Sequence, residues 1–339
     1  MSEKANIWTR ETGAVLLTTL LVMGVMSGLA VSIMDRTSAA LRQGRAVADI
    51  AQADSYLRGA EDYALLLLEQ QLQQPDALVA LEASLLQPQP IVLPVENGFI
   101  SVEITDGSHC FDPTTVLDAD GQEMFRRLLR TIPEDRTTTT ISQGPYGLDT
   151  LPAALADWQD GDPTPSAGGA EDGYYLAQDP AYRAPNSPVT AISELRAIRG
   201  WTPEVHARLA PWMCLNGGAK INLDTLRPED APLLAAGLAT DTSAALALLS
   251  SRPAGGWNGL EAFAAVLPED DERPVDPSTI FTFLPDTLRV DIRVQLGDQV
   301  RRAALHVSLD GAPEVVHRAR GEAAVPLVRH RPEEEDTDG

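Results

Sequence analysis

The stretch Asp157-Trp158-Gln159-Asp160-Gly161-Asp162, followed after a Gly/Pro/Ser segment by Gly169-Ala170-Glu171-Asp172, is the densest grouping of chemically capable side chains in this sequence. Carboxylates at alternating positions with glycine beside them suit a loop that turns several oxygens inward, and Ca2+ takes about 6–8 such ligands. The spacing to a terminal bidentate Glu is wrong for an EF-hand, and the prolines break any exiting helix. The same residues also make an Asp/Gly-rich solvated loop beside a helix N-cap, and composition alone favours that reading. Arrangements suited to catalysis are weak. The five histidines (His109, His206, His306, His317, His330) are scattered. The chain has no H-E-x-x-H pair, no G-x-S-x-G elbow and no glycine-rich phosphate loop. His306 falls in a strand pattern and reads as a sheet residue. His206, beside Arg208 on a helix, reads as surface. Trp201, Trp212 and Trp257 occupy apolar positions where core packing is the default. The residues point to a protein that is not an enzyme.

The elements that would position such a loop begin with an uncharged apolar run between Thr12 and Met34. A bilayer core of about 30 Å needs roughly 20 apolar residues at a rise of about 1.5 Å each, so the run spans a membrane once. It exceeds the roughly 7–15 residues of a secretory signal's apolar core, and no small-x-small cleavage site precedes Asp35. Lys4 and Arg10 on one flank and Arg36, Arg42 and Arg45 on the other leave its orientation open. The sequence stays helical to about Gln74, with apolar residues at helical spacing from Val47 to Leu67 and no proline before Pro75. Span and soluble helix read as one spine of about 55–60 residues, far beyond an ordinary globular helix.

Strand signals follow at Ile91–Val95 and Phe99–Ile104, and again at Leu288–Leu296, Arg301–Leu309 and Glu314–Arg318, with Gly297-Asp298 as a hairpin turn. Between them lie about 170 residues of short helices joined by Pro/Gly-rich connections, too long to be a structureless loop. The expected fold is α+β: a long N-terminal helix packed on a small antiparallel sheet, interrupted by a large inserted α-helical domain. Ile192–Leu209 and Pro228–Leu249 each read helix, glycine turn, helix, with turns at Arg199-Gly200-Trp201-Thr202 and Ala236-Gly237-Leu238-Ala239. Such helix-hairpin-helix units can grip DNA phosphates. Both lack the second glycine, however, and a net charge of -23 argues against nucleic acid. The two cysteines, Cys110 and Cys214, would form one disulfide if the soluble part is exported; otherwise they are two unrelated buried thiols.

The N-terminus resembles the prepilin-like proteins of type II secretion systems, with Gly13 as the last leader residue and Ala14-Val15-Leu16-Leu17-Thr18 opening the mature helix. The fifth mature residue is Thr18, where most pseudopilins carry Glu. That departure, together with Ala53–Leu66, the D-W-x-D and G-A-E-D-x-Y-Y pieces of Leu155–Tyr175, Pro188–Leu209 and Lys220–Thr225, is similar to the K-type minor pseudopilins across nearly the whole chain. The family's F-x-L-N piece is replaced by Cys110-Phe111-Asp112-Pro113.

The resemblance implies a minor pseudopilin capping the tip of a periplasmic pseudopilus and supporting export of folded proteins across the outer membrane. It implies cleavage between Gly13 and Ala14 by prepilin peptidase, methylation of Ala14, and an inner-membrane helix with the soluble domain in the periplasm. The implied partners are the I-, J- and H-type minor pseudopilins and the major pseudopilin, with no nucleic acid. Thr18 then marks a subunit with no neighbour above it to neutralise. It also implies calcium in the insert, carried onto Asp160, Asp162, Glu171 and Asp172, with Asp157 a weaker candidate. The corresponding segments are 1–13 leader, 14–34 transmembrane helix, 35–110 spine and first strands, 111–283 insert, 284–320 completing strands and 321–339 a disordered acidic tail. The competing readings are a membrane-anchored helix-hairpin-helix DNA receptor of the competence type and a signal-anchored periplasmic hydrolase.

Overall fold

The computed structural model describes residues 7–74, 76–132, 147–257, 259–267 and 276–325, with side chains from Val15 onward. Helix α1 (Ile7–Leu72) runs unbroken for 66 residues. Its Ala, Leu, Gln and Arg content favours helix, and Pro75 lies just beyond its end. The apolar run, from Val15, is wholly exposed, and α1 is long and apolar enough there to cross a membrane. In its soluble half, Ala53, Leu57, Ala60, Ala64 and Leu68 recur on one face and are buried. The small alanines let the helix lie close on the sheet.

Helix α2 (Ala77–Leu85) leads into β1 (Ile91–Val95) and β2 (Gly98–Asp106). The insert follows, with α3 (Ala119–Thr131), α4 (Thr150–Gln159), α5 (Asp172–Tyr175), α6 (Pro203–Leu209), β3 (Ile221–Asn222), α7 (Ala231–Leu238), α8 (Thr242–Ser251), α9 (Leu260–Ala264), α10 (Pro277–Ile280) and β4 (Phe281–Thr282). The chain returns through β5 (Thr287–Leu296), β6 (Gln299–Ser308) and β7 (Glu314–Arg320). The main sheet has the order β1-β2-β5-β6-β7, and every pairing is antiparallel. Alternation in LRVDIRVQL puts Leu288, Val290, Ile292, Val294 and Leu296 against α1, with Ile100 and Val102 of β2 and Ala303, Leu305 and Val307 of β6. A separate core fills the insert.

Two ion-pair groups fix how the sheet lies along the spine. Asp54 accepts from Arg301 at 2.9 Å. Seven residues further up, Glu61, only 3 % exposed, is gripped by Arg320 at 2.8 Å and Arg318 at 3.2 Å, and Arg320 lies opposite Ala303. β6 therefore advances in the same direction as α1. The turns at Asn97 and Gly297 lie beside Asp49 and Gln52, nearer the apolar run. The insert leaves after Asp106 and returns before Thr287, at the opposite end of the sheet.

Four details differ from the sequence reading. The parallel β3–β4 pair was not expected. The second hairpin does not turn at Gly237, which sits inside α7; the chain reverses after Ala239, at φ 56°. Gly237 is glycine because a Cβ there would lie 2.4 Å from the Phe281 ring. Gly237→Ala should therefore destabilise the protein by about 1–3 kcal/mol in urea unfolding. His206 is not a surface residue but is 8 % exposed, because the short α6 turns it inward. Gly321–Ala324 forms a 3-10 turn with Ala324 buried, whereas 326–339, the rest of the expected acidic tail, lie outside the described residues.

A buried polar cluster joins sheet and insert. The Asn222 amide donates to Glu82 at 2.7 Å and to Asp106 at 2.9 Å, and Thr225 also donates to Asp106. Burial, reinforced by Asp106 and Asp224 and opposed by Asn222 and Arg252, pushes the Glu82 carboxyl up to about 7 from 4.5. The folded protein thus holds a proton that the unfolded chain releases near 4.5, so this contribution is full below that pH and is lost as pH rises through about 7. Glu82→Gln should remove about 2 kcal/mol of that decline, read as a flatter melting-temperature profile across the same window.

Candidate cation site between α4 and α5

Asp157, Trp158 and Gln159 form the buried last turn of α4 rather than loop. Asp157 is 1 % exposed and accepts hydrogen bonds from the Ser166 amide at 3.0 Å and hydroxyl at 2.6 Å, tying the following loop to the helix. Gly169 approaches this carboxylate so closely that a Cβ would lie 1.9 Å from Asp157 Oδ2. The loop is tightened further where Asp160 Oδ1 accepts from the Asp162 amide and Asp162 Oδ1 from the Thr164 amide.

Carboxylate oxygens of Asp160, Asp162 and Glu171 lie within 4.8 Å of one another. Glu171 is buried, and neither of its carboxylate oxygens has a hydrogen-bond partner. Burial, then the charges of Asp157, Asp160, Asp162 and Asp172, push its carboxyl up to about 7. Asp160 is also raised, by burial first and by the Asp162 and Asp157 charges, against the Asp162 backbone hydrogen bond. Two anionic oxygens shut away without donors are costly unless protonated or met by a cation. The donor set is entirely hard oxygen, which fits Ca2+ rather than a thiolate- or imidazole-seeking metal.

The remaining candidates are used differently. Asp172 faces Arg183 and the Ala184 amide, and Asp157 is committed to Ser166, so neither joins the three-carboxylate group. Sequence reasoning missed Arg199, on the first hairpin turn, which donates to the Gly169 carbonyl at 2.8 Å and lies over the Tyr174 ring. That turn walls the acidic loop. Cys110 and Cys214 are joined, with Cα atoms 5.7 Å apart, beside a bridge pairing Phe111 with Met213. Gly13 and Ala14 lie within α1, and the exposed Thr18 donates its hydroxyl back to the Val15 carbonyl at 2.9 Å.

A membrane-length N-terminal helix continuing as a spine across an antiparallel sheet, with an α-domain inserted between the strands, defines a pseudopilin-type protein. The sequence model of type II secretion system protein K matches residues 109–217. Type II secretion system protein K of Pectobacterium carotovorum subsp. carotovorum is 30% identical over 319 residues, covering 88% of this chain and 94% of that protein. The Klebsiella pneumoniae protein of the same description is 32% identical over 267 residues, covering 75% and 79% respectively. A chain of the crystal structure of the GspK-GspI-GspJ complex from enterotoxigenic Escherichia coli superposes with a TM-score of 0.63 at 20% identity, over 83% of this chain and 99% of that one. This chain belongs to the type II secretion system protein K family of minor pseudopilins.

Proposed function

We propose that this chain is the tip subunit of a short periplasmic pseudopilus, held in the inner membrane by residues 14–34 until assembly. The carrying observation is the polarity of the fold: the insert branches from the sheet end that points away from the apolar run. A filament grows by packing spines, and a bulky domain above the last spine leaves no room for another. Cleavage after Gly13 and methylation of Ala14 would free the helix for extraction. The I- and J-type proteins are the first partners in this reading, since the similar solved structure is a complex of those types with the K protein. The H-type and major pseudopilins would lie further down. Ca2+ would be held by Asp160, Asp162 and Glu171, neutralising their charge and fixing the α4–α5 loop. The role is assembly and not catalysis.

Intact-mass analysis of the membrane-extracted protein tests the processing step. The expected mature chain begins at methylated Ala14, whereas an intact Met1 or a cut near Asp35 would overturn this reading. Removing the insert while keeping the spine and sheet should abolish tip capping, seen as unregulated pseudopilus length. Thr18→Glu separates the charge argument from the steric one: unchanged pseudopilus length and secretion would remove the former and leave the latter.

A further inference from the structure

On the sheet face turned away from α1 lies a cleft of about 700 Å3, bounded by β5–β7 and by Met213, Cys214 and Leu215 of the insert. His306 and His317 both line it. They are directly opposed in the β6–β7 ladder, with ring centroids 6.0 Å apart and planes inclined by 27°. Side chains at opposed positions of an antiparallel pair leave Cβ atoms about 5 Å apart, close enough for two imidazoles to share one coordination sphere.

The nitrogens of His306 are not equivalent. Nδ1 is shut from solvent and has no hydrogen-bond partner. A buried imidazole nitrogen without a hydrogen-bond partner offers its lone pair to a cation. Burial, then the charges of Arg289 and His317, push the His306 ring down to about 3. His317 is lowered too, mainly by burial. Arg289, whose charge reaches both rings, is held in place by both oxygens of Asp291 at 2.7 and 2.8 Å. Asp112, whose oxygens are taken by Thr114, Asn216 and Gly218, adds negative charge near His317 without offering a ligand.

We infer that His306 and His317 form a two-imidazole site for a borderline divalent transition cation such as Zn2+ or Cu2+, its coordination completed by water in the cleft. Nitrogen donors separate this site in kind from the all-oxygen loop between α4 and α5. A bound cation would clip the edge strand β7 to β6.

The test uses the detergent-solubilised full chain kept saturated with Ca2+, so that the carboxylate loop does not compete, with Zn2+ and Cu2+ as probes. Zn2+ should raise the melting temperature, and the Cu2+ resonance spectrum should show coupling to two imidazole nitrogens. His317→Ala, at a partly exposed position, should weaken Zn2+ binding at least about tenfold, the loss seen when even a supporting partner of a metal ligand is removed. His306→Gln should do the same, but its burial makes the His317 variant the decisive one. Unchanged Zn2+ affinity in His317→Ala, a Cu2+ spectrum with one or no imidazole nitrogen, or no melting shift would overturn the inference.

Discussion

Replacing Cys110 and Cys214 together by Ala should lower the unfolding free energy by about 2–5 kcal/mol, among the largest effects of any change to this chain. The bond closes a segment of 104 residues, which contains α3 to α6 and the acidic loop. Cross-linking a loop of about 100 residues removes unfolded-state entropy worth about 4.7 kcal/mol in the chain-entropy treatment, before any native strain. The native side of the junction is well bonded without the sulfurs. The Phe111 amide donates to Trp212, Cys214 donates to Phe111, and the Asn216 and Gly218 amides donate to Asp112. The loss should therefore come from the unfolded state, with the folded architecture retained and the urea midpoint lowered. An unchanged midpoint against the oxidised wild type would refute this. Limited proteolysis should open the insert of the variant before the sheet, because the spine's hold on β5 and β6 does not pass through the cysteines.

The spine was legible because its signals are local and cumulative: an uncharged run, then helix formers without proline for three dozen residues. β5 was legible because LRVDIRVQL alternates over its whole length, and β6 because it follows the Gly297-Asp298 turn signal. The β3–β4 pair was not, since a two-residue parallel pairing of Ile221 with Phe281 leaves no pattern in either segment. Gly237 misled because glycine signals a turn and a close approach equally. Here the approach, to Phe281, decides, and Ala239 takes the left-handed turn without a glycine signal. His206 looked exposed beside Arg208, but a charged neighbour in a seven-residue helix says little about which side faces the core. In the candidate site the carboxylate types and Gly169 were readable. Which carboxylates converge was not, because Asp157 and Asp172 are diverted by Ser166 and Arg183, and Arg199 arrives from thirty residues away.

Glu171→Gln should abolish stabilisation by Ca2+ while leaving the metal-free protein at least as stable as the metal-free wild type. The two halves of this result have one cause. Without a cation, Glu171 is a buried carboxylate with two unpartnered oxygens, surrounded by Asp157, Asp160, Asp162 and Asp172. Gln keeps its shape, removes the charge and brings amide donors toward the Asp160 and Asp162 oxygens, so the metal-free state loses a penalty. With Ca2+ the wild type should gain about 2.7 kcal/mol at a free concentration about 100 times the dissociation constant, and the variant should forfeit that gain. Melting curves with Ca2+ and with EGTA should therefore diverge for the wild type and superimpose for Glu171→Gln. Asp172→Asn is the discriminating control, because its carboxylate is engaged by Arg183 and should be dispensable for the cation. If Asp172→Asn removed the Ca2+ response and Glu171→Gln preserved it, the three-carboxylate assignment would fail. If neither changed it, the cation would lie elsewhere, and the orphaned oxygens of Glu171 would have to be satisfied by a proton.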